Sequence, residues 1–276
     1  MKRFLTATGM YLIKTFRGVR FWCAIALYIG LLALISQDLI SEYSDVAYIL
    51  HYAFANSTSY FLLIICALPG SAVFAEEWSA KRFVSIYSRT KRASFSSGMI
   101  VSSFLSALIV SLSASFLYMA ILSFKYPVCG DPSDIGYLQQ MSSYANGGLA
   151  ASGNYLLYYF MEFITQGCLM GLFSAFATLL SIKLTDSNIA VVMPMILYIT
   201  VTNIMSYLPV PKLLNPYHVY SQSGTVYRTL FPDSTDGFSV VSMLYPLIYT
   251  VVILFLFTVI AHFMIIQKYE KYNDIG

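Results

Sequence analysis

Apolar runs long enough to cross a bilayer alternate with short polar stretches along the whole chain. They fall near 21–37, 55–75, 97–124, 155–182, 189–208 and 240–266. About 20 apolar residues wound as an α-helix cover the roughly 30 Å hydrocarbon core. The pattern therefore predicts an all-α membrane protein with six transmembrane helices in a single transmembrane domain over 1–276. The polar stretches settle its orientation. With the N-terminus in the cytoplasm, Lys2, Arg3, Lys14, Arg17, Arg20, Lys81, Arg82, Arg89, Lys91, Arg92, Lys183, Lys268 and Lys271 all lie inside. Only Lys125, Lys212 and Arg228 lie outside. Positive charge collects on the cytoplasmic side of membrane proteins, so both termini are expected inside, in the cell membrane.

The segments between the spans have their own patterns. Over 1–19, Phe4, Leu5, Tyr11, Leu12, Phe16 and Val19 share one helical face, and Lys2, Arg3, Lys14 and Arg17 the other. That is the signature of an amphipathic helix lying in the inner interface, either as an anchor or as a moving part. In the third span Ser102, Ser106, Ser113 and Ala120 form a small-residue stripe, and the fourth carries Gly167-x-x-x-Gly171. Small residues let helices approach closely in lipid, so both read as packing seams, with a polar pathway the alternative for the serines. Two outer segments, 125–154 and 209–239, are rich in turn residues, and Tyr217 to Leu230 reads as one or two short helices.

Composition narrows the function classes. The chain is 58% hydrophobic and only 11% charged, with a mean hydropathy of +0.69, which excludes a soluble domain. Net charge is +3, but topology accounts for the basic residues and no nucleic-acid partner is expected. Membrane lipid is. The run after Arg20 lacks a cleavage site and is long enough to span, so it reads as a first helix and not a signal peptide. Cys66 and Cys168 lie inside spans and Cys23 at an inner edge, leaving Cys129 as the one outward thiol.

No motif announces catalysis. There is no Gly-Lys pair for a phosphate loop, no His-Glu-x-x-His and no Gly-x-Ser-x-Gly. No catalytic residue, metal or cofactor is assigned to the chain. Asp38, Glu42, Asp45 and His51 crowd the first outer loop in no recognised ligand spacing, and read as a solvated acidic loop. Glu162 is the one ionisable residue within the apolar runs. A carboxylate at that depth costs on the order of 2–3 kcal/mol unless solvated or partnered. With Tyr159 and Gln166 on the same side of the helix, it lines a substrate path or belongs to a hydrogen-bonded packing cluster. Asn56, Ser57, Thr58, Thr200, Thr202 and Asn203 are further polar candidates for a pathway, and Pro194 predicts a kink in the fifth span.

The sharpest local signal joins the second and third spans, Phe74-Ala75-Glu76-Glu77-Trp78-Ser79-Ala80-Lys81-Arg82-Phe83, running on to Arg92. As a helix it gathers Ala80, Phe83, Val84, Ile86 and Tyr87 on one face. Lys81, Arg82, Ser85, Ser88 and Arg89 lie on the other, with Trp78 exposed among them. Glu76 and Glu77 fall in the first turn, where the helix dipole favours acids. An exposed tryptophan beside arginines suits a protein contact.

With these features the chain resembles ABC-2-type permeases, the membrane-spanning subunits of ATP-binding-cassette exporters. The resemblance covers the interfacial N-terminal helix, six spans, both ends inside, the charged loop over 76–92, and a Pro-broken outer segment containing Leu214-Asn215-Pro216. It implies that Glu76, Glu77, Trp78, Lys81, Arg82, Phe83 and Arg89 form a coupling helix docking into a separate ATPase subunit. ATP and magnesium would be held by that partner. It also implies a second permease chain, identical or different, since six helices line half of a pathway. The 125–154 segment is longer than the resemblance leads one to expect. An ion-driven secondary transporter and a non-transporting anchor or immunity subunit are the competing readings. Substrate is not legible.

Overall fold

The computed structural model describes residues 2–40, 45–71, 73–79, 92–130, 146–184, 187–207, 211, 214–221 and 240–275. The described residues form helices and connecting turns, with no strand. In order, α1 is Lys2–Arg17, α2 Val19–Ser36, α3 Val46–Ala55, α4 Phe61–Ala67 and α5 Val73–Ser79. They are followed by α6 (Arg92–Ser123), α7 (Gly147–Ala151), α8 (Tyr155–Lys183), α9 (Ser187–Tyr207), α10 (Pro216–Ser221) and α11 (Val240–Ile275).

Four helical segments are long and apolar enough to cross a bilayer: Val19–Leu39, Ala93–Ser123, Tyr155–Lys183 and Met243–Glu270. A fifth crossing is obtained if the bent pair Val46–Ala55 and Thr58–Ala67 counts as one span. The chain is a multi-pass, all-α membrane protein.

Helix α8 is the axis of the bundle. It packs most extensively against α6, and also against α11, α9 and α4. Of its most apolar stretch 78% is buried, against 17% for α11, which turns Phe255, Val251 and Phe263 outward. The α6–α8 seam is close because small residues occupy it. A Cβ on Gly171 would lie 2.6 Å from Phe104 Cδ2 and 3.0 Å from the Phe104 carbonyl oxygen. One on Gly167 would lie 2.7 Å from Leu108 Cδ1. Ser103 Oγ lies 2.8 Å from Ser174 Oγ and accepts from Thr178 Oγ1 at 2.7 Å. Each such bond adds about 0.6 kcal/mol in a bilayer. The packing reading of Gly167 and Gly171 holds. The serine stripe is corrected in part: Ser102 and Ser106 are buried and donate to their own helix, but Ser103 makes the cross-helix bonds, and Ala120 is exposed.

Three other expectations change. The predicted second span over 55–75 is not one helix: the 46–67 pair bends by 77° around Asn56, and Pro69-Gly70 separates α4 from α5. Pro69 has no N–H to continue a ladder, and Gly70 lies flush against α6, where a Cβ would sit 3.1 Å from Ser103 Cα. The supposed solvated acidic loop is partly structure. Buried Asp45 caps α3 by accepting from the Tyr48 N–H at 2.6 Å, and His51 sits within that helix. Finally, α1 packs on α6 through Ala7, Thr8, Tyr11 and Thr15, a stripe rotated from the predicted apolar face, while Val19 is 76% exposed. Gly98 permits this contact, since a Cβ there would lie 3.0 Å from the Ala7 Cβ.

The seam makes a matched prediction. Gly171→Ala should lower stability in detergent by about 1–3 kcal/mol through overpacking. Gly30→Ala, on α2 with no atom within 4 Å of the added methyl, should leave it unchanged or raise it. Thermal unfolding of the two variants checks this, and equal destabilisation would contradict the seam.

Candidate functional site

Ionic and aromatic side chains from four helices, with a backbone carbonyl from a fifth, converge at one end of the bundle. The turn at Pro69-Gly70 separates α5 from α4, and side chains on α5 then tie it to its neighbours. Its Glu77 is 4% exposed, and its Oε1 accepts from Lys14 Nζ on α1 at 2.6 Å. Glu76 is paired with Arg20 of α2, and its second oxygen is 4.0 Å from Lys14. Tyr11 is buried beside them, and burial together with the Glu77 carboxylate pushes its phenol well above the ordinary range. On the other side of α5, Phe74 and Trp78 stack with centroids 6.0 Å apart. The Lys268 ammonium of α11 lies over both rings, 5.0 and 4.3 Å from their centres. The same ammonium donates to the Ile182 carbonyl at 2.6 Å, in the last turn of α8. C-terminal carbonyls lack helical partners, so a cation is favoured there.

Of the predicted coupling residues, Glu76, Glu77 and Trp78 are thus brought together. Lys81, Arg82, Phe83 and Arg89 lie outside the described residues. Trp78 is not the exposed residue expected of it: it is half-buried on Phe74 beneath Lys268. The sequence reading missed the role of Lys14, Arg20 and Lys268, which looked like simple topology signals. Two adjacent acids beside an apolar span should have called for cations.

A second polar cluster lies at the opposite end of α8. Glu162 is 4% exposed and accepts from Asn146 Nδ2 at 3.2 Å, with Gln166 a second hydrogen-bond partner. Asn146 itself has φ 58°, a left-handed conformation that asparagine tolerates, which turns the chain into α7. One turn before Glu162, buried Tyr159 donates to the Val128 carbonyl. Tyr159 and Glu162 therefore fasten Val128 and Asn146 onto α8, and Gln166 holds Glu162 from within the helix.

The other polar candidates stay apart. Asn56 is exposed at the bend, where its side chain accepts from the Thr58 N–H at 2.9 Å. Thr200 is exposed and donates to the Ile196 carbonyl of its own helix, and Asn203 is exposed on the same helix. Beside them an apolar groove of about 400 Å³ opens over α8 between α9 and α11, lined by Phe173, Phe176, Tyr198, Tyr249 and Phe257 among others and carrying no charged side chain. Tyr220 in its wall spends its hydroxyl on Thr250, 2.6 Å away. Among the described residues no three His, Cys, Asp or Glu side chains gather as a metal site requires.

The class of protein is therefore fixed by its helices, as a multi-pass membrane protein. Comparison with family models, curated proteins and solved structures finds no match for the chain.

Two outcomes test the clusters. Lys14→Met should lower stability by about 1–3 kcal/mol, because it strips a cation from a buried carboxylate. In a Glu77→Gln background the same change should cost at least about 1 kcal/mol less, as measured by a double-mutant cycle of unfolding. Glu162→Ala should speed amide exchange across 146–151, with Glu162→Gln much milder because it keeps an acceptor for Asn146. Unchanged exchange in Glu162→Ala would contradict the fastening role.

Proposed function

We propose that the chain is the permease subunit of an ABC-2-type exporter. In this reading α5 and the 80–91 connection form the handle on which a separate ATPase subunit pulls. The six crossings are α2, the broken 46–79 segment, α6, α8, α9 and α11, with both termini and the basic end of the bundle in the cytoplasm. The support is the convergence of Lys14, Arg20, Lys183 and Lys268 at the end where α5 lies, which is the distribution expected of a cytoplasmic face. One observation carries the reading. A short acidic helix, detached from its own span by Pro69-Gly70, is braced against the first helix and the last. An isolated interfacial loop has no need of such bracing, whereas a lever does.

The chain forms half of a translocation pathway and works with a second copy or a related chain. ATP and magnesium bind to the partner ATPase and not here. The apolar groove over α8 and the Glu162 cluster are where a substrate would be sought first.

An ion-driven secondary transporter is the second reading. It is favoured by buried Glu162 and by the 77° break near Asn56, features that mark ion sites in such proteins. It predicts transport by the reconstituted chain with no ATPase present.

Affinity purification of the full chain from its native membrane should recover an ATP-hydrolysing subunit, identified by mass spectrometry. Arg82→Glu with Arg89→Glu should reduce that recovery about tenfold or more, since anchor residues of this type dominate interfaces. Undiminished recovery from the double variant, or no ATPase with the wild type, would sink the proposal.

A further inference from the structure

Helix α5 does not continue α4 as one straight rod. Helix α4 ends at Ala67, a last backbone bond runs from the Ser71 N–H to the Ala67 carbonyl at 3.0 Å, and α5 begins at Val73 beyond Pro69-Gly70. A displacement of α5 can also leave it through its side chains. Besides the direct packing of α5 on α8, two side-chain routes exist among the described residues. The first runs to α1 and α2: the Arg20–Glu76 pair is exposed and screened by salt, and the Lys14–Glu77 pair ties α5 to α1, away from α8 and α11. The second runs through Lys268, which engages two stacked rings of α5 and the Ile182 carbonyl at the end of α8 with one ammonium.

We propose that Lys268 is a positioning residue that carries movement of α5 to the inner ends of α8 and α11. The geometry is that of a joint. The ammonium can slide over the face of the Phe74–Trp78 stack, because attraction to a ring face is broad. Its hydrogen bond to Ile182 is directional and ties it to the last turn of α8. As α8 is the most buried helix, touching α4, α6, α9 and α11, a shift at its end reaches the whole bundle. This rests on the permease reading above, since it supplies the path by which an ATPase pulling on α5 would rearrange the spans. It also gives Lys268 a role that end-capping of α8 alone does not require, because capping has no use for the aromatic pair.

The test uses the full chain, alone and with its ATPase, in lipid nanodiscs, followed by amide exchange. In the chain alone, Lys268→Met should speed exchange over 73–79 about fivefold or more, and Lys268→Arg should restore it. With Trp22→Phe making Trp78 the sole tryptophan, the Trp78 emission should shift in Lys268→Met and not in Lys268→Arg. Unchanged exchange and emission in Lys268→Met would overturn the joint. In the ATPase complex, Mg-ATP with vanadate should alter exchange at both 73–79 and 176–183 in the wild type. In Lys268→Met the change should persist at 73–79 and fall about fivefold or more at 176–183. Undiminished change at 176–183 would reduce Lys268 to a cap and overturn the proposal. If Lys268→Met fails to fold, Trp78→Leu, which leaves the bond to Ile182 in place, should lose the same propagation. A wild-type chain that binds no ATPase would overturn the functional reading, and the proposed transmission with it.

Discussion

A buried carboxylate needs a cation, and here that need draws the N-terminal helix toward the middle of the chain. Glu77 sits almost out of solvent at the edge of an apolar bundle, and Lys14 meets it at 2.6 Å. Leaving such a charge alone costs several kcal/mol, so α1 and α5 cannot separate cheaply. Once α1 is fixed, Tyr11 fills the space beside Phe95 and closes α1 onto α6. On its far side α5 offers two ring faces to Lys268, and α11 joins the same knot. The basic end of the bundle is thus organised by charge and aromatic contact. The middle is organised by small residues that let α6 and α8 touch.

The opposite end is organised differently. There Glu162 and Tyr159 hold Asn146 and Val128, from the connection between α6 and α8, and Gln166 holds Glu162. The bend at Asn56 and the apolar groove beside α9 leave room for rearrangement nearby.

Much of this was legible in the chain. Hydropathy located α2, α6, α8 and α11, because helices that cross lipid must be continuously apolar. Gly167 and Gly171 announced the close seam, because only glycine lets two backbones meet that way. The loop around Glu76 and Trp78 stood out by its charges and its tryptophan. Other features were hidden for physical reasons. The 46–67 bend depends on Asn56 and Ser57–Tyr60 adopting a tighter turn amid an apolar run, where hydropathy sees no interruption. The rotation of α1 was set by Gly98 on another helix. The contact of Lys268 with Trp78 joins distant parts of the sequence, and a lysine after a last span looks like a topology signal whatever it touches.

Everything proposed about function requires α5 to lie on the cytoplasmic side. The direct measurement is labelling with a membrane-impermeant maleimide of Ser79→Cys and Lys125→Cys, each made in a chain with Cys23 and Cys129 replaced by serine. The account predicts that Lys125→Cys is labelled in intact cells and Ser79→Cys only in inverted vesicles. Labelling of Ser79→Cys from outside intact cells would contradict it.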